Sequence, residues 1–98
     1  MRLDKIQRKA LRVALKNLKG DDEVFLFGSR VDDSKRGGDI DLLIYSKQPG
    51  FELSRNISRT FFKNCEEKID VLVIDPQHMT YDQAMFVQSI DKIPLSKL

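Results

Sequence analysis

Apolar residues recur every three or four positions in three segments of the chain, and basic or polar residues fill the positions between them. This spacing is typical of amphipathic helices, because it places the apolar side chains on one face. Gly20 is a helix stop after the first segment, and a Gln-Pro-Gly break precedes the second. The predicted helices run from Asp4 to Lys19, from Glu52 to Cys65 and from Tyr81 to Ile90.

Three shorter segments are rich in β-branched and aromatic residues and are bounded by turn residues, which indicates strands. The predicted strands run from Glu23 to Phe27, from Asp39 to Tyr45 and from Lys68 to Ile74. None of these elements buries its apolar face alone, so the three strands must share one sheet that the helices cover. The order α-β-β-α-β-α predicts an α/β (α+β) domain.

The length of 98 residues, with 41% hydrophobic and 33% charged residues, predicts one compact domain over residues 1–98. A second domain to hold a substrate does not fit. Uninterrupted apolar stretches reach only four residues, and the first residues lack the apolar region of a signal peptide. We therefore expect a cytoplasmic protein without a membrane segment. The single cysteine, Cys65, cannot form an internal disulfide.

Charge is distributed unevenly along the chain. Residues 1–20 contain seven Lys and Arg residues, and Asp4 is the one acidic residue among them. The net charge of this segment is therefore 7 − 1 = +6, and the remainder of the chain carries −4, which gives the total of +2. A solvated helix face is the plainest explanation, and a docking surface for an acidic partner or for RNA is the alternative. No aromatic residue interleaves with these charges, so nucleic acid is the less expected partner.

Three aspartates stand in or beside the predicted strands, where aspartate is disfavoured. Asp39 and Asp41 are two positions apart and project from one face, about 6.7 Å from each other, where two charges repel by about 2.5 kcal/mol at an effective dielectric near 20. Asp70 joins them if the second and third strands are neighbours. A divalent cation turns this repulsion into shared coordination, and oxygen ligands favour magnesium or manganese over zinc.

Gly28-Ser29 directly follows the first predicted strand. Glycine there can turn backbone N–H groups outward into an anion-binding nest, and serine adds a hydroxyl donor, although an ordinary turn has the same composition. Nine residues separate Ser29 from Asp39, enough for a loop to return the chain to the same pocket. Neither a GxxxxGK[ST] phosphate loop nor a GxGxxG fingerprint occurs.

These segments, in the order Phe27-Gly28-Ser29-Arg30, Gly38-Asp39-Ile40-Asp41-Leu42 and Ile69-Asp70-Val71, resemble the pattern of the DNA polymerase β-like nucleotidyltransferase superfamily. The similarity extends over most of the chain and is greatest to the minimal nucleotidyltransferases. It implies the nucleotidyltransferase fold, with the three predicted strands in a small mixed sheet packed with three helices.

The resemblance also implies roles for the candidate residues. Asp39 and Asp41 bind two Mg²⁺ ions, and Asp70 joins them and helps to activate the attacking hydroxyl. Gly28 and Ser29 hold the β- and γ-phosphates of an ATP substrate. Arg30 neutralises the triphosphate, while Arg36 is either a second such cation or a solvated loop charge. The segment Arg36-Gly37-Gly38 suits either a mobile loop or a plain turn.

Minimal nucleotidyltransferases are commonly encoded beside a small helical HEPN protein and act in toxin-antitoxin systems as antitoxins that adenylylate the HEPN toxin. The resemblance therefore implies transfer of AMP from ATP to a hydroxyl, foremost that of a tyrosine, on a HEPN-type partner. The alternatives are a catalytic subunit that modifies a small molecule held by a helical partner, a non-catalytic toxin-binding module, and RNA as the binding partner or acceptor. Homo- or hetero-oligomerisation stays open.

Overall fold

A computed structural model describes residues 1–35 and 38–95, and the predicted helices and strands follow one another in the expected order. One short strand that the sequence pattern did not predict comes after the third helix. A 3-10 turn, Gly28–Val31, directly follows the first strand. The elements are α1 (Lys5–Ala14), β1 (Glu23–Phe27), β2 (Ile40–Tyr45), α2 (Gly50–Asn64), β3 (Ile69–Ile74), α3 (Tyr81–Ser89) and β4 (Lys92–Pro94).

The strands form one mixed sheet in the order β3-β2-β1-β4. Strand β1 pairs antiparallel with β2 and with β4, and β2 pairs parallel with β3 through the α2 crossover. This confirms the predicted fold class, with the correction that the sheet has four strands and not three. Strand β4 has only three residues and ends in Pro94, which lacks an N–H donor and is tolerated at a sheet edge. A run this short carries no recognisable strand pattern.

The helices contain 10, 15 and 9 residues. Helix α1 ends at Ala14 rather than at Lys19, so the prediction was too long by five residues. The backbone N–H of Lys16 donates to the carbonyl of Val13, three residues back, at 3.4 Å, which is the geometry of a turn and not of an α-helix. In residues 1–35 and 38–95, no helix combines the length and the apolar character needed to cross a bilayer.

The two faces of the sheet are covered differently. On one face, α1 and α2 pack on alternate residues of β2, including Leu42 and Ile44, and form the larger core cluster. On the other face, a smaller cluster joins Leu43 of β2 to Ile74 of β3 and Val87 of α3. Because strand residues alternate between faces, Asp41 lies on the face of Leu43, which the short helix α3 covers in part.

Helix α3 has apolar residues on both its covered and its outward sides. Val87 is buried against the sheet, whereas the side chains of Tyr81, Met85 and Phe86 are 78%, 52% and 36% exposed. The sequence pattern predicted an amphipathic helix here, and the outward apolar residues make that pattern incomplete. The consequence is an exposed apolar surface on the same side of the sheet as Asp41.

Candidate active site

Asp41 and Asp70 lie opposite each other on neighbouring strands. In the parallel β2–β3 ladder, Asp41 is the register partner of Asp70, so both side chains project from one face of the sheet. Neighbouring strands are about 4.8 Å apart, which places two carboxylates side by side. The condition set by the sequence, that the second and third strands are neighbours, is met.

Asp39 lies one residue before β2 rather than within it, and its side chain is exposed. It still belongs to the same electrostatic group. Burial, then the charge of Asp70 and then that of Asp39 raise the pKa of Asp41 above its ordinary value. Each carboxylate is therefore close enough to Asp41 to disfavour its ionised form.

The donor chemistry of these three aspartates fits a hard divalent cation, because all are carboxylates and their mutual repulsion is what a cation relieves. Their side-chain positions are not a finished ligand set. Across the described ranges, no three His, Cys, Asp or Glu side chains converge closely enough to hold a metal ion. The residues thus match a magnesium ion in charge and donor type, and the side chains would have to reorient to enclose it.

Gly28 is packed directly against Asp41. Strand β1 pairs with β2 so that Phe27 faces Asp41, and Gly28 is the next residue, with a φ of +76°. A Cβ atom at this position would overlap Oδ2 of Asp41. The positive φ favours glycine at this position, and a side chain here would also displace the carboxylate of Asp41. The turn after β1 and the carboxylates of β2 therefore share one site.

Ser29 meets the loop that returns to β2. Gly38 has a φ of +86°, and a Cβ atom on it would overlap Oγ of Ser29. The backbone immediately before Asp39 thus lies against the serine hydroxyl, as the predicted loop return requires. Arg36 and Gly37 lie outside the described residues, so the loop hypothesis on them stays a prediction.

The side chain of Arg30 is buried and is occupied by hydrogen bonds within the protein. Its side chain is 8% exposed. Nε donates to the carbonyl of Gly38 at 3.1 Å, and Nη1 donates to the carbonyl of Arg2 at 3.0 Å and to Oε1 of Gln7 at 3.4 Å. These contacts favour a positioning role over the predicted contact with triphosphate. No spacing rule links Arg30 to Gln7, which explains why the sequence did not reveal this role.

Arg2 holds the same turn from the other side, a role that the sequence analysis missed. Its backbone N–H donates to the carbonyl of Arg30, while Nη2 donates to the carbonyl of Ser29 and Nε to that of Asp32, each at 2.8 Å. Arg2 and Arg30 each donate a hydrogen bond to the other's backbone carbonyl. Together they fix the backbone around Ser29. In the sequence, Arg2 stood only as one of seven basic residues.

A cavity of about 430 Å³ lies at the opposite end of β2, where Tyr45 and Ser46 line it together with Asp22. Burial raises the pKa of Asp22, but hydrogen bonds from the Lys19 N–H, Ser46 and the Gln48 side chain outweigh burial and lower the pKa overall. Asp41 is four residues from Tyr45 along an extended strand, a distance of roughly 13 Å. The cavity is therefore separate from the three aspartates.

A family model described as a nucleotidyltransferase domain matches residues 8–93. The match contains Gly28-Ser29, the three aspartates of the site and strands β1 to β3, and it ends within β4. A comparison with curated proteins found no match.

Proposed function

Because this chain belongs to the nucleotidyltransferase domain family, we propose that it transfers AMP from ATP to a hydroxyl group on a HEPN-type partner protein, as an antitoxin that adenylylates its toxin. The observation that carries the proposal is the site in which Gly28 contacts Asp41 and Asp41 stands in register with Asp70. It brings an anion-binding turn and paired carboxylates together, the two parts that transfer from a triphosphate requires.

In the proposed reaction, the acceptor oxygen forms a bond to the α-phosphorus of ATP. The bond from that phosphorus to the oxygen bridging to the β-phosphate breaks, and pyrophosphate leaves. The hydroxyl proton passes to a carboxylate, for which Asp70 is suited because it is exposed beside the half-buried Asp41. The backbone N–H groups at Gly28 and Ser29 hold the β- and γ-phosphates.

Asp39, Asp41 and Asp70 would hold magnesium, with two ions expected from the resemblance. A bound magnesium ion supplies Lewis-acid stabilisation of the negative charge on the phosphates. Without that charge, the ionised carboxylates repel the triphosphate they must accept. Burial first, and then the charges of Asp70 and Asp39, raise the pKa of Asp41, and a bound cation would offset both effects.

An acceptor carried by a protein is supported by the apolar surface next to the aspartates. Leu72 follows Asp70 by two residues in β3, on the same face, and is 36% exposed. The ring of Phe86 packs edge to face on Phe27, the register partner of Asp41, with centroids 5.6 Å apart. Met85 extends this surface outward. Exposed apolar patches of this kind mark protein-protein contacts.

The test is incubation of the full chain with ATP, Mg²⁺ and a folded HEPN-type partner encoded beside it, followed by intact-mass spectrometry. We expect a partner species heavier by one AMP, with its site assigned to a tyrosine by peptide mapping. The Asp41→Asn variant is the matched control and should give no adduct. A folded partner that stays unmodified by the wild-type chain would refute the protein acceptor.

Two outcomes of related assays would identify the alternatives. If ATP labelled at the α-phosphate transfers its label to a small molecule only when the partner is present, the chain is the catalytic subunit of a small-molecule enzyme. If Asp39→Asn protects against the toxin as well as the wild type does, the chain neutralises its partner by binding alone.

A further inference from the structure

Helix α1 and the turn after it present a row of basic side chains to solvent. Lys5, Lys9, Arg12 and Lys16 are all exposed and recur at spacings of four, three and four residues, which places them on one side of the helix. The buried residues of α1 lie on the opposite side. Asp4, the N-cap residue, is the acidic residue at the start of this row.

Helix α2 has a second basic row. Arg55, Arg59 and Lys63 are exposed at spacings of four residues, again opposite the buried side of the helix. Acidic residues near this row are Glu52 in the first turn and the exposed pair Glu66-Glu67 just after the helix. Taken alone, each row is also typical of an ordinary solvated helix face. Neither row by itself therefore indicates a binding surface.

The two rows face the same direction. Helices α1 and α2 pack against the same face of the sheet and share one core cluster, and a groove lined by Asn17 and Asn56 runs between them. Their outward sides therefore form one surface, on the opposite side of the sheet from Asp41. We define the basic helical face by seven residues: Lys5, Lys9, Arg12, Lys16, Arg55, Arg59 and Lys63.

Exposed aromatic rings border this face. Phe51 is 73% exposed and Phe62 is 49% exposed, both on α2. The guanidinium of Arg55 lies over the Phe51 ring, 5.4 Å from its centroid. Helix α1 has no aromatic residue among its charged residues, whereas helix α2 contributes these two exposed rings. Cations beside exposed rings are the combination with which proteins bind phosphates and stack bases.

We propose that the basic helical face binds single-stranded RNA, with phosphates on the seven cations and bases stacked on Phe51 and Phe62. The side-chain amides of Asn17 and Asn56, in the groove between the rows, can donate to and accept from a 2′-hydroxyl, the group that distinguishes RNA from DNA. An acidic protein would also satisfy the cations, but rings beside cations, with amides between the two rows, favour RNA as the occupant. This inference does not depend on the proposed transfer reaction, because the two surfaces lie on opposite sides of the sheet.

The first test is fluorescence anisotropy of the full-length chain with a labelled 20-nucleotide RNA that has no secondary structure, between 50 and 200 mM salt. The variant Lys9→Gln/Arg12→Gln/Arg59→Gln should bind more weakly, and the slope of log K against log salt should fall by about 2, since each phosphate contact contributes roughly 0.7 for single strands. The control Lys35→Gln/Lys47→Gln/Lys68→Gln removes the same charge from exposed sites outside this face and should retain most of the affinity.

The second test addresses stacking. Phe51→Ala and Phe62→Ala should each weaken binding about 5-fold or more at fixed salt without changing the salt slope. Thermal unfolding of each variant checks that the fold is intact, and Phe51, as the more exposed ring, gives the cleaner result. Stronger binding of the single strand than of its duplex, and of RNA than of DNA with the same sequence, is expected.

Several results would overturn the proposal. One is wild-type affinity in the first triple variant, and another is an equal loss in both triple variants, which would reduce the effect to net charge. Equal affinity for the duplex, or tighter binding to DNA, would remove the single-stranded RNA assignment. A polyglutamate peptide that competes as well as unlabelled RNA would identify an acidic protein as the partner.

Discussion

At the residue scale, Asp41 has the least favourable surroundings of the three aspartates. Burial comes first among the causes that raise its pKa, and the charges of Asp70 and Asp39 add to it. A folded-state pKa above the unfolded value means that ionised Asp41 costs stability at neutral pH and that protonation removes this cost. This cost is consistent with a site whose charges serve a ligand rather than the fold.

Asp41→Asn should therefore stabilise the protein when no divalent cation is present. Because the side chain is partly exposed, we expect a gain of only about 0.5–1 kcal/mol in the free energy of unfolding at pH 7, measured by urea denaturation in EDTA. The gain should vanish at pH values below the unfolded-state pKa, where the wild-type carboxyl is protonated. Asp91→Asn, at an exposed loop position, is the control, and a loss of stability in Asp41→Asn would contradict the electrostatic account.

Asp22 shows the opposite behaviour. Burial raises its pKa, but hydrogen bonds from the Lys19 N–H at 2.9 Å and from Nε2 of Gln48 at 2.7 Å, together with Ser46, lower the pKa overall below the ordinary 3.8. The stability that ionised Asp22 contributes is present above the unfolded pKa and is lost as the pH falls through the lower folded pKa.

Asp22→Asn should thus cost about 0.5–1 kcal/mol near pH 7, and the difference from wild type should shrink as the pH falls below the ordinary 3.8. Urea midpoints measured between pH 7 and pH 2.5 check this. Asp21→Asn is the neighbouring exposed control. A difference that stays constant with pH would show that the hydrogen bonds do not depend on the charge.

The sequence predicted the aspartates as site residues from their spacing. A carboxylate in or beside a strand, two residues from another carboxylate, has few explanations in terms of folding alone. It did not predict the partners of Arg30, because those depend on how α1 lies against the turn after β1. Likewise, Asp39 was assigned to a strand that begins one residue later, at Ile40.

At the scale of elements, the 3-10 turn Gly28–Val31 is tied to the N-terminal end of α1. Arg30 and Arg2 bond to each other's backbone carbonyls, and Arg30 also bonds to the carbonyl of Gly38. The turn, the first helix and the loop before Asp39 are therefore one hydrogen-bonded unit. Movement in any of them would shift the predicted phosphate site.

Arg30→Met tests this unit, because it preserves much of the side-chain volume and removes the guanidinium donors. Leaving the carbonyls of Gly38 and Arg2 without partners should cost about 1–3 kcal/mol in the free energy of unfolding, measured by urea denaturation. Arg30→Lys should recover part of the loss. If Arg30→Met keeps wild-type stability but weakens ATP binding, Arg30 contacts the triphosphate as the sequence predicted.

Element boundaries were less predictable than element identity. The apolar spacing continues to Leu18, so the sequence extended α1 to Lys19, whereas turn hydrogen bonds after Ala14 end the helix early. Strand β4 pairs with the edge of β1 that β2 does not occupy. A segment of three residues that ends in Pro94 carries no pattern from which a strand could be predicted. The apolar spacing encodes neither difference, because one arises from local turn hydrogen bonds and the other from pairing with β1.

At the scale of the whole molecule, the two sides of the sheet carry different kinds of residue. The aspartates and the apolar surface of α3 lie on one side, and the basic helical face lies on the other. The fold class was predicted from the sequence, whereas the pairing of β2 with β3 entered only as a condition, which the structure meets. The identity of the acceptor was not within reach of the sequence, because it depends on a second molecule and not on the spacing of residues in this chain.

MgATP should stabilise the whole chain if the site binds it as proposed. A ligand present at about 100 times its dissociation constant adds about 2.7 kcal/mol, so the melting temperature should rise with MgATP concentration. Asp41→Asn should show little rise, and Asp91→Asn should respond as the wild type does. Equal stabilisation of Asp41→Asn would place the nucleotide elsewhere, and the cavity lined by Tyr45 and Asp22 would be the next site to examine.

The unequal covering of the sheet also has a consequence for local opening. A large core cluster joins α1 and α2 to the sheet, while the buried residues that hold α3 are Leu43, Ile74 and Val87. Amide hydrogens of α3 should therefore exchange with solvent deuterium well before those of α2, since regions with few buried contacts open at lower free energy. The side of the molecule that carries the aspartates is thus the side that opens most readily, and a partner bound there would slow its exchange first.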